Sequence, residues 1–259
     1  MSGTATARLV AAVGAALTIV GVFLDALLDT SYWDVDGTLA WVGLILGTTA
    51  LLLVAVAFLG VEPDAWLFAV GAVLVGYWAW LPALTAFDSW DRTDAGMWLC
   101  LGGALVIAAA SAVVLARAGE ARTTPAGVSL ATAVTGIGIA LVFPGIFLDA
   151  EQTTGASGWS YWDPPTYGHG VGILMLVLAV VSGVVFVATT LGAQTRGLDV
   201  ALTLVLLGLV AFDPVWTAFN DLGDLQVGAW LALAGGILAA GGTWSARAGE
   251  APRAAPIAA

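Results

Sequence analysis

The chain has 259 residues, of which 60% are hydrophobic and only 10% charged, and it carries a formal net charge of −11 at neutral pH. Soluble domains contain about 45–50% apolar and about 25% charged residues, so this composition excludes a water-soluble globule and makes lipid the expected solvent. The negative charge argues against nucleic acid and anionic lipid headgroups as partners, because both repel a surface of their own sign.

A membrane-spanning helix needs roughly 20 predominantly apolar residues. Eight such runs follow one another along the chain, at 9–28, 39–60, 65–87, 95–116, 127–148, 170–192, 200–219 and 225–244, and only Asp25 and Asp213 place a charge inside them. The runs are continuously apolar rather than alternating, which predicts helices and not barrel strands. The expected fold is an all-α integral membrane protein of eight transmembrane helices. The first run is longer than the apolar region of a secretory signal, about 7 to 15 residues, and is read as a span.

Orientation rests on arginine, since the chain contains no lysine. Along an eight-span path Arg8, Arg117, Arg122, Arg196, Arg247 and Arg253 share one side and Arg92 stands on the other. The positive-inside rule then predicts a multi-pass protein of the cell membrane with both termini cytoplasmic. Most acidic residues, among them Asp29, Asp34, Asp36, Asp88, Asp91, Asp94, Glu151, Asp163, Asp221 and Asp224, fall in the outer loops. Acidic loops without lysine fit a high-salt habitat and a GC-rich genome equally.

The eight runs form two matching sets of four. Gly21, Phe23, Leu24, Asp25 and Ala26 recur as Gly145, Phe147, Leu148, Asp149 and Ala150, and Ser31 to Asp34 recur as Ser160 to Asp163 after an insertion in the second outer loop. Pro82, Thr85, Ala86 and Phe87 match Pro214, Thr217, Ala218 and Phe219, while Gly96, Trp98 and Leu99 match Gly228, Trp230 and Leu231. Aromatic, proline and acidic identities at near-constant spacing indicate duplication. Residues 1–122 would form one four-helix repeat and 123–259 a second with a short polar tail. Four spans per half give both halves the same direction, hence a pseudo-twofold axis along the membrane normal. The glycines, Gly43 and Gly47 among them, fit packing within the chain and also a homodimer.

Three carboxylates are candidates for a cation or proton site. Asp213 precedes Pro214, whose missing amide hydrogen frees the Val210 carbonyl, a combination that resembles the broken-helix ion sites of transporters. Asp25 and Asp149 stand at equivalent depths on the first and fifth runs, and would share a cation or proton if those helices faced the axis. The plainer reading places all three within reach of outer headgroups.

Ten of the 12 tryptophans lie toward the outer side, whereas only Trp66 and Trp244 lie near the inner one. Interfacial belts normally enrich Trp at both faces. An outer surface including Trp33, Asp34, Trp90, Trp98, Trp162, Asp163 and Trp230 would receive a cationic ligand or a protein partner, from the membrane or from outside it.

Cys100 is the only cysteine and His169 the only histidine, which excludes cysteine clusters, bis-histidine haem and histidine-rich zinc sites. Absent lysine rules out a retinal Schiff base, and serine-protease and phosphate-loop signatures are missing too. No catalytic residue, cofactor or metal is expected. Three functions remain: a non-enzymatic scaffold or accessory subunit presenting the Trp/Asp surface, a cation or proton transporter using Asp25, Asp149 and Asp213, and, least supported, an intramembrane enzyme.

Overall fold

A computed structural model describes residues 3–27, 30–35, 37–85, 94–118, 129–151, 159–162, 169–193, 195, 197–218 and 225–249. In chain order the elements are α1 (Gly3–Val22), β1 (Asp25–Leu27), β2 (Thr30–Ser31), α2 (Tyr32–Val35), α3 (Gly37–Phe58), α4 (Asp64–Thr85), α5 (Ala95–Ala118), α6 (Leu130–Phe147), β3 (Asp149–Glu151), β4 (Trp159–Ser160), α7 (Gly170–Thr190), α8 (Leu198–Ala218) and α9 (Val227–Gly249). Among the described residues seven helices are long and apolar enough to cross a membrane. The remaining long helix, α4, has its apolar stretch over Asp64–Trp80.

Lipid offers no water to the backbone, so each segment must satisfy its amides internally, and the helix does so. Both faces of these helices are apolar; what separates them is size. On α1 the buried face carries Ala7, Ala11, Gly14, Ala15 and Thr18, while Val10, Val13 and Val20 are exposed. Lipid tails are as apolar as leucine, so close backbone approach, rather than hydrophobicity, holds one helix to another.

Glycine supplies that approach. On the antiparallel pair α1 and α5, a Cβ added at Gly14 would lie 2.7 Å from the Gly103 carbonyl oxygen, and one at Gly21 would lie 2.8 Å from that of Gly96. On α6 and α9, a Cβ at Gly138 would lie 2.6 Å from the Gly235 carbonyl oxygen and one at Gly145 would lie 2.9 Å from that of Gly228. The four glycines of the second pair correspond in sequence to the four of the first.

The third contact joins α4 to α8. A Cβ at Gly76 would overlap the Val205 carbonyl oxygen and come within 2.7 Å of the Leu209 amide; one at Gly208 would overlap the Val73 carbonyl oxygen and come within 2.9 Å of the Tyr77 amide. Each helix therefore presents the same glycine to the same positions of the other. Ala69 and Ala72 cluster with Val200 and Leu204 on one side of this crossing, and Tyr77 and Trp80 stack on Phe212 on the other, so the two helices run parallel.

At the N-terminal ends of α4 and α8 a first-turn acid favours the positive pole of its helix and meets an arginine. Arg8 donates from Nε and Nη2 to Asp64 at 3.1 and 2.6 Å, and from Nη1 to the Ala57 carbonyl at 3.1 Å. Arg247 donates from Nη2 to Asp199 at 2.7 Å and to the Thr195 hydroxyl at 2.8 Å. This arginine end also carries the Trp66–Trp244 ring contact, at 5.2 Å. It holds the start of α1 and the end of α9 alike.

The opposite end carries two short hairpins, and here the structure corrects the sequence reading. Asp25 is not in a helix: α1 stops at Val22, and Asp25 opens β1, paired with Ser31. Asp149 likewise opens β3, paired with Ser160. The cause is again glycine, since the Leu24 and Asp25 carbonyls lie against Gly96, and those of Leu148 and Asp149 against Gly228. Backbone turned onto a neighbouring helix cannot continue its own.

Gly76→Ala and Gly208→Ala are each expected to cost about 1–3 kcal/mol or more, because the added methyl meets rigid backbone. Gly102→Ala, where nothing lies within 4 Å, should be neutral or stabilising by about 0.5–1 kcal/mol. Thermal unfolding of detergent-solubilised variants checks both.

Candidate functional site

At the hairpin end a tyrosine from each hairpin segment packs onto the bundle. Tyr161, directly after β4, is 1% exposed and donates its hydroxyl to Asp213 Oδ2 at 2.9 Å. Asp213 is itself 5% exposed, one residue before Pro214 inside α8. Its carboxyl group thus ties the second hairpin to α8 through a buried hydrogen bond, which contributes about 1 kcal/mol net.

The first segment has the corresponding tyrosine without the corresponding acid. Tyr32, after β2, is 1% exposed and tilts against Trp78 of α4 with ring centroids 4.7 Å apart. In sequence Leu81 stands where the second set has Asp213, and the Tyr32 hydroxyl has no hydrogen-bond partner. Burial, and to a lesser degree the neighbouring Cys100 and Tyr77, push the Tyr32 phenol well above its usual range, so it remains neutral.

Around this pair runs a continuous aromatic chain. Tyr77 lies 5.0 Å from Trp78 and 5.1 Å from Phe212, and Phe212 lies 4.9 Å from Trp80. The indole nitrogens of Trp33, Trp78 and Trp80 are also buried without an acceptor. Trp78 fits so deeply because the benzo edge of its ring, Cζ2 and Cη2, lies against Gly43, where a Cβ would overlap it.

These positions redraw the expected outer cup. Trp78 and Trp80 do not line an open surface; they are core residues, wedged between α4 and its neighbours. Trp41, Trp98 and Trp230 are exposed near the hairpin end. Trp33 is half-buried between Phe23 at 5.7 Å and Trp41 at 5.3 Å. Trp162 is half-buried between Phe147 at 5.3 Å and His169 at 5.6 Å, and the His169 Nδ1 bonds the Trp162 carbonyl. Trp90 and Asp163 lie outside the described residues, as does the side chain of Asp34.

The three candidate carboxylates do not converge. Asp25 and Asp149 are exposed, and α1 packs on α3 and α5 while α6 packs on α7 and α9. The main contact between the two sets of helices is that of α4 with α8, with smaller ones of α4 with α7 and of α3 with α8. Among the described residues no three His, Cys, Asp or Glu side chains come together.

Sequence reasoning passed over Tyr161 as the partner of Asp213, and Asp64 and Asp199 as arginine partners. The signal for the first was present: Tyr161 repeats Tyr32 in a shared Ser-Tyr-Trp-Asp run. No family model, no curated protein and no solved structure matches the chain.

Tyr161→Phe should lower stability by about 1–3 kcal/mol by leaving a buried carboxylate short of a donor, whereas Tyr32→Phe should be neutral or stabilising because it deletes an unmet hydroxyl. Paired melting curves in one detergent separate the two.

Proposed function

We propose that this protein is a non-enzymatic multi-pass membrane scaffold or accessory subunit, whose hairpin end faces outward and receives a partner or ligand. In this reading the chain crosses the bilayer eight times, as two four-helix repeats related by a pseudo-twofold axis passing between Gly76 and Gly208. The reciprocal contacts of those two glycines support the axis, because a residue that meets its own counterpart's neighbours is the mark of twofold packing. Arg8 and Arg247 at the same end support cytoplasmic termini.

One observation carries the functional reading. Most hydroxyls buried within the bundle are turned back onto their own helices, Thr18 donating to Gly14, Ser111 to Ile107, Thr135 to Ala131 and Thr243 to Ala239 at 2.7–3.1 Å, and Thr203 and Thr243 also bond each other between α8 and α9. Among the described residues the unmet groups are, apart from Ser182 within α7, the Tyr32 hydroxyl and the indoles of Trp33, Trp78 and Trp80 toward the hairpin end, the end that also carries exposed Trp41, Trp98 and Trp230. A route for ions needs polar groups aimed into a path, while a rigid bundle with a distinctive aromatic rim suits recognition.

Photo-crosslinking in native membranes should yield a discrete adduct that is lost when Trp98→Ala and Trp230→Ala are combined. Migration of the chain alone, with wild-type and variant indistinguishable, would remove the partner reading.

Buried Asp213 beside a helix proline favours a second reading, a cation or proton transporter. That reading expects Asp213→Asn to abolish flux in proteoliposomes, with Asp25→Asn and Asp149→Asn reducing it. Unchanged flux in all three would discard it.

A further inference from the structure

The two tyrosines at the hairpin end are completed in different ways, and the difference defines a site. Tyr161 donates to a carboxylate that the chain itself provides, Asp213. Tyr32 and Trp78, 1% and 0% exposed with their rings in contact, offer a hydroxyl and an indole N–H that meet no acceptor. An indole nitrogen can only donate, so the group that would complete this corner must be an acceptor. Buried polar groups left unmet are rare enough in folded proteins that each calls for an explanation, a bound molecule being one.

We propose that the hairpin end of α4 binds a neutral carbonyl group carried by an apolar molecule, with Tyr32 Oη and Trp78 Nε1 as its donors. Neutrality follows from the surroundings. The arginines whose side chains are described, Arg8 and Arg247, are paired at the far end, so neither balances an anion here. Burying an unpaired charge here would be prohibitively costly. The neighbouring rings of Tyr77 and Phe212 favour a flat or acyl apolar body through area and ring geometry. Tyr32 belongs to α2, a four-residue segment outside the long helices. The carbonyl would come from a free planar ring compound or from the acyl ester of a lipid.

The site is internal, so its failure would leave the rim and its crosslinking test untouched. The experiment measures the melting temperature of the purified full chain in maltoside detergent during titration with menadione, a naphthoquinone, or with dihexanoyl phosphatidylcholine. A saturable rise with menadione alone identifies the planar source, and one with the phospholipid alone the ester. A rise with both reports the shared carbonyl chemistry. In each case Tyr32→Phe, which keeps the ring, and Trp78→Phe should weaken the apparent affinity about tenfold, the effect of one lost hydrogen bond of about 1.4 kcal/mol. Tyr161→Phe should bind as the wild type does. Should neither probe shift the wild-type protein, the unmet donors hold water or nothing and the proposal is wrong. It is equally wrong if Tyr32→Phe retains full affinity, even where Trp78→Phe fails to fold, or if Tyr161→Phe loses as much as Tyr32→Phe.

Discussion

Backbone touching backbone at Gly76 and Gly208 is the contact on which the rest of the arrangement depends. In lipid two leucine-covered helices gain nothing by leaving the acyl chains for each other, so association needs dispersion contacts that only small residues permit. The crossing of α4 and α8 leaves no room even for a methyl group. With that crossing held, the aromatic rings of Tyr77, Trp80 and Phe212 are brought into register at one end, and the small cluster of Ala69, Ala72, Val200 and Leu204 closes the other. A side chain at either glycine would push apart everything that α4 and α8 carry.

From this constraint follows an uneven distribution of polarity. Where helices approach through glycine, a threonine or serine turns chiefly to the carbonyl four residues earlier, and Thr18, Ser111 and Thr135 do so. Larger polar side chains are confined to the ends, where helices splay. There they take two forms: arginine–carboxylate pairs at one end, tyrosine and tryptophan at the other. The bundle is polar at its poles and nearly featureless between them.

Much of this was legible in the chain. Continuous apolar runs fix where helices occur because lipid admits few alternatives, and every expected run contains a long helix in the structure. What the pattern hid was where an apolar run stops being helical. Residues 23 to 28 read as the last turns of a span, yet Phe23 to Leu27 leave the helix because Gly96 draws the Leu24 and Asp25 carbonyls onto itself. Tryptophan misled for a related reason. Its preference for interfaces placed Trp78 and Trp80 on an outer surface, whereas Gly43, from another helix, makes a recess for Trp78. The Tyr161–Asp213 bond was hidden because it joins residues far apart in sequence, and only one of the two similar sequence stretches carries the acid. Gly76 and Gly208, each six residues before a proline, were readable as equivalents but not as neighbours. Periodicity tells which face is small, not which helix will meet it.

The two arginine–carboxylate pairs impose different timetables on the growing polypeptide. Asp64 enters the bilayer after its partner Arg8 has already been synthesised, so the first carboxylate is neutralised on arrival. Asp199 emerges well before Arg247, which belongs to α9. Until α9 is in place, Asp199 at the foot of α8 has the Thr195 hydroxyl and the positive pole of its own helix as company, without its arginine. The first pair can therefore close once α4 has been made, whereas the second closes only with α9, the last long helix in the chain.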